Sequence, residues 1–131
     1  MTPLPITSFY AALLAGLLVW LSIRVIGERR RARIAVGTGE DQGLLRASRA
    51  QANFVEYVPM ALILVALLEA AGTGPFLLHA LGVALLGGRV VHGLGIVRQP
   101  EDFRLRQIGM SLTFGVLIAG AALLLARITL G

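Results

Sequence analysis

A long run of residues without a charged side chain opens the sequence. Between Leu4 and Ile23 the only polar side chains are those of Thr7, Ser8 and Tyr10. Because an α-helix rises about 1.5 Å per residue, about twenty apolar residues span the ~30 Å hydrocarbon core of a bilayer. The run therefore predicts a transmembrane helix. No lysine or arginine precedes it, unlike the start of a secretory signal, so we expect this helix to stay attached.

Three further apolar segments follow, and each is long enough to span a bilayer. They run roughly over residues 52–72, 75–97 and 108–126. Hydrophobic residues make up 56% of the chain, which exceeds the usual share in a soluble domain. We therefore predict an all-α fold, an integral membrane four-helix bundle.

Glycine, proline and aspartate mark the joints between the predicted spans. The first joint contains Gly37, Gly39 and Asp41, and the third contains Pro100. These residue types end helices or begin new ones. No internal repeat is visible, so one domain accounts for the whole chain. The predicted helices cover about 4–34, 43–72, 75–97 and 103–128, within a single domain over residues 1–131.

The basic residues lie between the apolar segments. The sequence has 12 basic residues, all arginine, against 7 acidic residues, for a formal net charge of +5. Such a surplus can indicate nucleic-acid binding, but these arginines do not follow one polar face, so we expect no nucleic-acid partner. Short arginine-rich loops stay cytoplasmic, which predicts cytoplasmic first and third loops and both termini outside. The arginines are Arg29, Arg30, Arg31, Arg33, Arg46 and Arg49 in the first joint and Arg98, Arg104 and Arg106 in the third, against Arg127 alone on the other side.

Several kinds of chemistry lack the residues that they need. The chain has no cysteine, so it has no thiolate nucleophile and no thiolate ligand for a metal. His79 and His92 are 13 residues apart on one predicted helix and on different faces, so they cannot share a metal ion. No metalloprotease, serine-hydrolase or phosphate-loop motif is present. We therefore expect no metal site.

Polar side chains on the second and third predicted helices form a candidate site. Arg49, Asn53 and Glu56 stand at positions i, i+4 and i+7, which places them on one face of the second helix. Arg89 and His92 share a face of the third helix at a similar depth. Charged groups are costly in hydrocarbon, so each of them is a site hypothesis. The arginines could bind carboxylates and Glu56 an ammonium, which indicates a small anionic ligand that also carries a positive group.

A structural interpretation of the same residues stays open. Glu56 and Arg89 could neutralise each other as an ion pair, while the loop arginines extend to lipid phosphates. Asn53 could form a hydrogen bond between helices. Glu69 and His79 lie on the opposite side of the predicted bilayer, and we assign no function to them.

The polar segments resemble a known family. The segment Arg49-Ala-Gln-Ala-Asn53-Phe-Val-Glu56-Tyr57-Val-Pro59 resembles the second-helix signature of the MAPEG family, the membrane-associated proteins of eicosanoid and glutathione metabolism. The segment Arg89-Val-Val-His92 is similar to the third-helix motif of the microsomal prostaglandin E synthase branch. Residues 104–110 are similar to the start of helix four in small bacterial members. The resemblance covers essentially the whole chain and implies a protein of the bacterial inner membrane.

The resemblance implies a homotrimer of left-handed four-helix bundles that binds glutathione, as co-substrate, between neighbouring subunits near the cytoplasmic face. It implies that an arginine near the start of helix four stabilises the glutathione thiolate. Arg104 is the best match, Arg106 is its rival and Arg98 is a weaker one. Ile96 stands where many members have a tyrosine. The implied glutathione contacts are Arg49, Asn53, Glu56, Tyr57, Arg89 and His92.

We therefore expect a glutathione transferase or peroxidase that acts on a hydrophobic small molecule or lipid hydroperoxide arriving from the bilayer. A non-catalytic membrane scaffold of the same fold is the main alternative. A small multidrug transporter is a weaker one, because such proteins resemble one another in carrying a carboxylate in helix one, and here the only one is Glu28 at its end. An apolar groove that opens toward Arg104 would favour the enzyme over the scaffold.

Overall fold

The computed structural model describes residues 2–131, and it confirms the all-α four-helix bundle. No strand occurs among these residues. Each helix is long and apolar enough to cross a membrane. The helices are α1 (Pro5–Ala32), α2 (Gln42–Ala70), α3 (Pro75–Val97) and α4 (Phe103–Leu130).

The helices run alternately in opposite directions, so their connections lie at two ends of the bundle. We call the end with the α1–α2 loop (33–41) and the α3–α4 loop (98–102) the loop end. The other end, with the α2–α3 turn (71–74) and the C-terminus, is the turn end. All the arginines of the predicted cytoplasmic joints lie at or near the loop end.

Two aspartates cap the N-termini of helices at the loop end. The Asp41 carboxylate accepts a 2.8 Å hydrogen bond from the Leu44 N–H at the start of α2. The Asp102 carboxylate accepts hydrogen bonds from the N–H groups of Arg104 and Leu105, at 3.0 and 3.2 Å, at the start of α4. Each aspartate satisfies backbone donors that have no partner within the helix. Both loops are therefore anchored where the polar residues gather.

The helices α2 and α3 form the centre of the bundle. Each of them contacts the three other helices, whereas α1 and α4 lie on opposite sides and do not touch. Side chains from all four helices meet in one apolar core, so polar residues on the inner faces of α2 and α3 are enclosed. The core includes Leu14, Leu21, Phe54, Val58, Leu85 and Val116.

Glycines bring α3 and α4 into close contact. A Cβ atom added to Gly109 would lie only 2.5 Å from the Cβ of His92, and one added to Gly95 would lie 2.8 Å from the Cβ of Leu105. Small residues allow helix backbones to approach in this way inside a membrane. Gly115, in contrast, has nothing within 4 Å. The glycine contacts therefore fix the rotation of α4 about its own axis.

Glu69 joins two helices at the turn end. Its carboxylate accepts hydrogen bonds from the N–H groups of Ile6 and Thr7, at 2.9 and 2.7 Å. The residue before α1 provides no side-chain cap, so Glu69 supplies from α2 the acceptor that the start of α1 needs. Nearby, the Tyr10 hydroxyl lies 3.0 Å from Nδ1 of His79 and joins α1 to α3. Glu69 and His79, to which the sequence assigned no function, thus make structural contacts.

Candidate functional site

Arg89 is buried in the interior of the bundle with 1% of its surface exposed. Its Nη2 donates a 2.7 Å hydrogen bond to Oδ1 of Asn53 and lies 3.4 Å from Nδ1 of His92. Its Nη1 lies 3.6 Å from the Met110 sulfur. Its Nε has no hydrogen-bond partner within residues 2–131. The structure therefore brings Asn53, Arg89 and His92 together in one cluster, and no carboxylate of residues 2–131 forms an ion pair with the guanidinium.

Glu56 does not pair with Arg89 in the described chain. It lies beside Arg49, with 3.8 Å between Oε1 of Glu56 and Nη2 of Arg49. The side chains of both residues are about half exposed, at 48% and 55%. Arg49, Asn53 and Glu56 thus share a helix face but have different surroundings. Asn53 reaches inward to Arg89, whereas Arg49 and Glu56 lie on the surface of the single chain.

A cavity of about 230 Å³ lies at the loop end between α2 and α4, and we call it the arginine cavity. Three guanidiniums and one carboxylate line it. The carboxylate is that of Glu101 in the α3–α4 loop, and it pairs with Arg106. Arg has a planar fork of donors that matches the geometry of a carboxylate, so a site of this kind suits an anionic ligand. The lining residues are Gln42, Leu45, Arg46, Arg49, Ile96, Glu101 and Arg106.

A second opening of about 230 Å³ lies along the surface of α4, and we call it the apolar groove. Phe103, Gln107 and Met110 line it together with Arg106. The Arg106 guanidinium carbon lies 5.6 Å from the centre of the Phe103 ring. Arg106 therefore borders both the arginine cavity and the apolar groove.

Arg104 occupies a different place. It is exposed, and it lines a separate polar cleft that also includes Arg98, Asp102 and part of the α3–α4 loop. Residues 104 and 106 are separated by about 200° around a helix, so only one of them can face α2. Within one chain, the structure brings Arg106, and not Arg104, to the arginine cavity.

Tyr57 and Ile96 lie beside these features. The Tyr57 ring packs edge-on against Phe114 of α4, with 5.4 Å between the ring centres. Ile96, which stands where many family members have a tyrosine, is buried and lines the arginine cavity. An apolar wall therefore lies where a tyrosine could have offered a hydroxyl. Among residues 2–131, no group of three or more His, Asp or Glu side chains lies close enough together to hold a metal ion.

Three residues of this site were not predicted from the sequence as ligands or as their neighbours: Arg46, Glu101 and Met110. Arg46 precedes Arg49 by three positions, a spacing that places both on one helix face, so its signal was present. Met110 follows Arg106 by four positions, and this spacing also places the two residues on one helix face. Glu101 lies in a loop, where no periodicity indicates its direction. Only the folded chain shows that its carboxylate reaches Arg106.

The fold and the site together define a four-span, all-α membrane protein with an arginine-rich polar site at one end of the bundle. The MAPEG family model matches residues 7–126, and the chain belongs to this family. The predicted membership of the MAPEG family is thereby confirmed.

Two relatives of the chain are inner membrane proteins. The chain is 36% identical over 113 residues to the inner membrane protein YecN of Escherichia coli strain K12, a match that covers 86% of this chain and 85% of the relative. The YecN protein of Escherichia coli O6:H1 matches to the same extent. The four helices and these relatives identify an integral inner membrane protein. No solved structure matches the chain.

Proposed function

We propose that this MAPEG protein binds glutathione at the loop end and activates its thiol toward hydrophobic electrophiles or lipid hydroperoxides. The observation that carries the proposal is that Arg106 lines both the arginine cavity and the apolar groove. An anionic tripeptide suits the first of these spaces and a hydrophobic substrate suits the second. Their reacting atoms would then meet at one guanidinium.

Charge complementarity supports glutathione as the ligand. Its two carboxylates match the guanidiniums of Arg46 and Arg49, and its ammonium group matches Glu56. Arg89 is a further proposed contact, because its Nε has no hydrogen-bond partner among residues 2–131. The remaining proposed contacts are Asn53, Tyr57 and His92.

A guanidinium beside the thiol supplies the activation. A free thiol is mostly protonated at neutral pH, and a neighbouring positive charge stabilises the thiolate, which is the reactive nucleophile. We assign this role to Arg106, because it borders both spaces, rather than to Arg104, the first choice from sequence. The groove beside Arg106, and not one beside Arg104, is the feature that favours an enzyme over a scaffold.

The outward-facing pair of Arg49 and Glu56 supports an oligomer. Both side chains are about half exposed on a helix that crosses the membrane, where contact with lipid is costly for charged groups. A second copy packed on this face would cover them and complete the site. We therefore propose the homotrimer that the family implies, with cytoplasmic loop ends as the arginine distribution favours. Native mass spectrometry in detergent tests the trimer.

Binding of glutathione to detergent-purified protein, measured by titration calorimetry, tests the proposed function. We expect Arg49→Ala and Glu56→Ala each to raise the Kd about tenfold or more, since each loses a charge-assisted hydrogen bond worth about 1.5–3 kcal/mol. Arg30→Ala is the matched control, because it removes an exposed arginine near the loop end but outside the cavity. Unchanged affinity in both site variants would contradict the proposed site. No binding by the unmodified protein would favour the scaffold instead.

A further inference from the structure

One carboxylate occupies the arginine cavity in the folded chain. Glu101 pairs with Arg106, and its side chain is only 18% exposed, about half the exposure of its partner at 35%. Asp41 and Asp102, which lie directly before α2 and α4, serve as helix caps. Glu101 caps no helix and directs its charge at the cavity wall.

We propose that Glu101 is an internal competitor for the anion site: its carboxylate holds Arg106 until a ligand carboxylate or thiolate displaces it. Glu101 thereby sets both the affinity of the site and the charge that a ligand needs. The identity of the ligand as glutathione rests on the proposed function, whereas the competition for Arg106 does not.

The charges in the cavity explain why displacement favours an anion. The lining has three guanidiniums, and Glu101 cancels part of their charge. When Glu101 leaves, the guanidinium of Arg106 becomes available as a two-pronged donor to another carboxylate or to a thiolate. A neutral hydrophobic molecule gains nothing from this exchange, so it cannot open the site by itself.

The backbone allows Glu101 to move without moving α4. The N–H of Asp102 donates a 3.1 Å hydrogen bond to the Gly95 carbonyl, and the Asp102 side chain caps α4. These bonds anchor the chain one residue after Glu101. Glu101 itself lies in the loop and outside any helix, so rotation of its side chain releases Arg106 while the start of α4 stays in place.

The test compares Glu101→Gln with Glu40→Gln in the full-length protein in detergent. Glu40 is exposed in the α1–α2 loop at the same end of the bundle, so its substitution makes the same change in net charge. We expect Glu101→Gln to lower the Kd for glutathione about two- to fivefold, the change that corresponds to losing a partly exposed ion pair. We expect Glu40→Gln to leave the Kd unchanged. An unchanged or higher Kd in Glu101→Gln would overturn the proposal.

A second measurement needs no glutathione. Phenylglyoxal modifies accessible arginines, and mass spectrometry of the digested protein reports the rate at each position. We expect Arg106 to react about twofold faster or more in Glu101→Gln and in Glu101→Ala than in the unmodified protein, with Arg98 and Arg104 as internal controls. Equal rates at Arg106 would overturn the competition. If glutathione binds none of the proteins while Arg106 reacts faster in the variants, the proposed function fails and the competition stands.

Discussion

The guanidinium of Arg89 donates a 2.7 Å hydrogen bond to the side-chain oxygen of Asn53, and this bond joins α3 to α2 inside the bundle. The partner is neutral, so the positive charge of a fully enclosed residue is not cancelled by it. A buried charge of this kind is costly unless hydrogen bonds stabilise it. Asn53 therefore has a structural role in addition to any role in ligand binding.

Asn53→Ala is predicted to destabilise the protein by about 2–3 kcal/mol, because it leaves the Arg89 guanidinium without its shortest hydrogen bond. Gln51→Ala is the control on the same helix. It removes a neutral 2.9 Å hydrogen bond to Ser22, for which we expect a loss of about 0.6 kcal/mol. Thermal unfolding in detergent measures both. Equal losses would show that Arg89 does not depend on Asn53.

Glu69→Ala is predicted to loosen the start of α1. The carboxylate accepts hydrogen bonds from the N–H groups of Ile6 and Thr7, so its loss leaves two backbone donors without a partner. Loss of a cap of this kind costs about 1–2 kcal/mol. Hydrogen exchange at residues 6–10 should accelerate, while exchange in the middle of α3 should not. Unchanged exchange at Ile6 and Thr7 would contradict this assignment.

Gly109→Ala is predicted to separate α4 from α3. The added Cβ would lie 2.7 Å from the His92 nitrogen and 2.5 Å from the Gly88 oxygen, so backbone has to shift. Overpacking of this kind costs about 1–3 kcal/mol. Gly115→Ala, on the same helix, meets open space and should be neutral or stabilising by up to about 1 kcal/mol. The unfolding midpoints of the two variants should therefore move apart, and the same sign of shift in both would refute the close contact.

The Asp41 carboxyl makes the free energy of unfolding depend on pH. The Arg31 guanidinium, followed by the Leu44 N–H, holds the pKa of the Asp41 carboxyl below its ordinary value of 3.8. In the acid range the folded state therefore binds fewer protons than the unfolded state. The Asp41 carboxylate contributes its full stabilisation above the pKa of the unfolded state, and this stabilisation is lost as pH falls through the pKa of the folded state. Asp41→Asn keeps the side-chain acceptor and removes the charge.

The variant Asp41→Asn should be less stable than the unmodified protein at neutral pH, and the difference should shrink below about pH 4. Unfolding midpoints measured as a function of pH test this. Glu40→Gln removes the neighbouring charge and serves as the control. A difference between Asp41→Asn and the unmodified protein that stays constant from pH 7 to the acid range would exclude Asp41 as the titrating group.

The helices and the family could be predicted because their signals are local. Apolar length between Leu4 and Ile23 indicates a span without reference to the rest of the chain, and the segment from Arg49 to Pro59 carries the family signature within one helix. The contacts at the candidate site could not be predicted in the same way. They depend on how each helix is rotated about its axis.

The partner of Arg89 is one contact that the sequence could not predict. Asn53 and Glu56 share a helix face at a depth similar to that of Arg89, so sequence spacing offers both as partners, and only the packing of α2 against α3 selects Asn53. The choice between Arg104 and Arg106 depends in turn on the rotation of α4, which the contacts of Gly109 fix. Glu69 gave no local signal, because its partners, the Ile6 and Thr7 amides, lie more than sixty residues away in the sequence.

The ultraviolet absorption of the thiolate, recorded on mixing glutathione with the detergent-purified protein, tests the central claim most directly. We predict a thiolate band with the unmodified protein and with Arg104→Ala, and no band with Arg106→Ala although calorimetry still detects bound glutathione. The two variants remove the same charge from opposite sides of α4. A band that persists in Arg106→Ala and disappears in Arg104→Ala would contradict the account and return the role to Arg104.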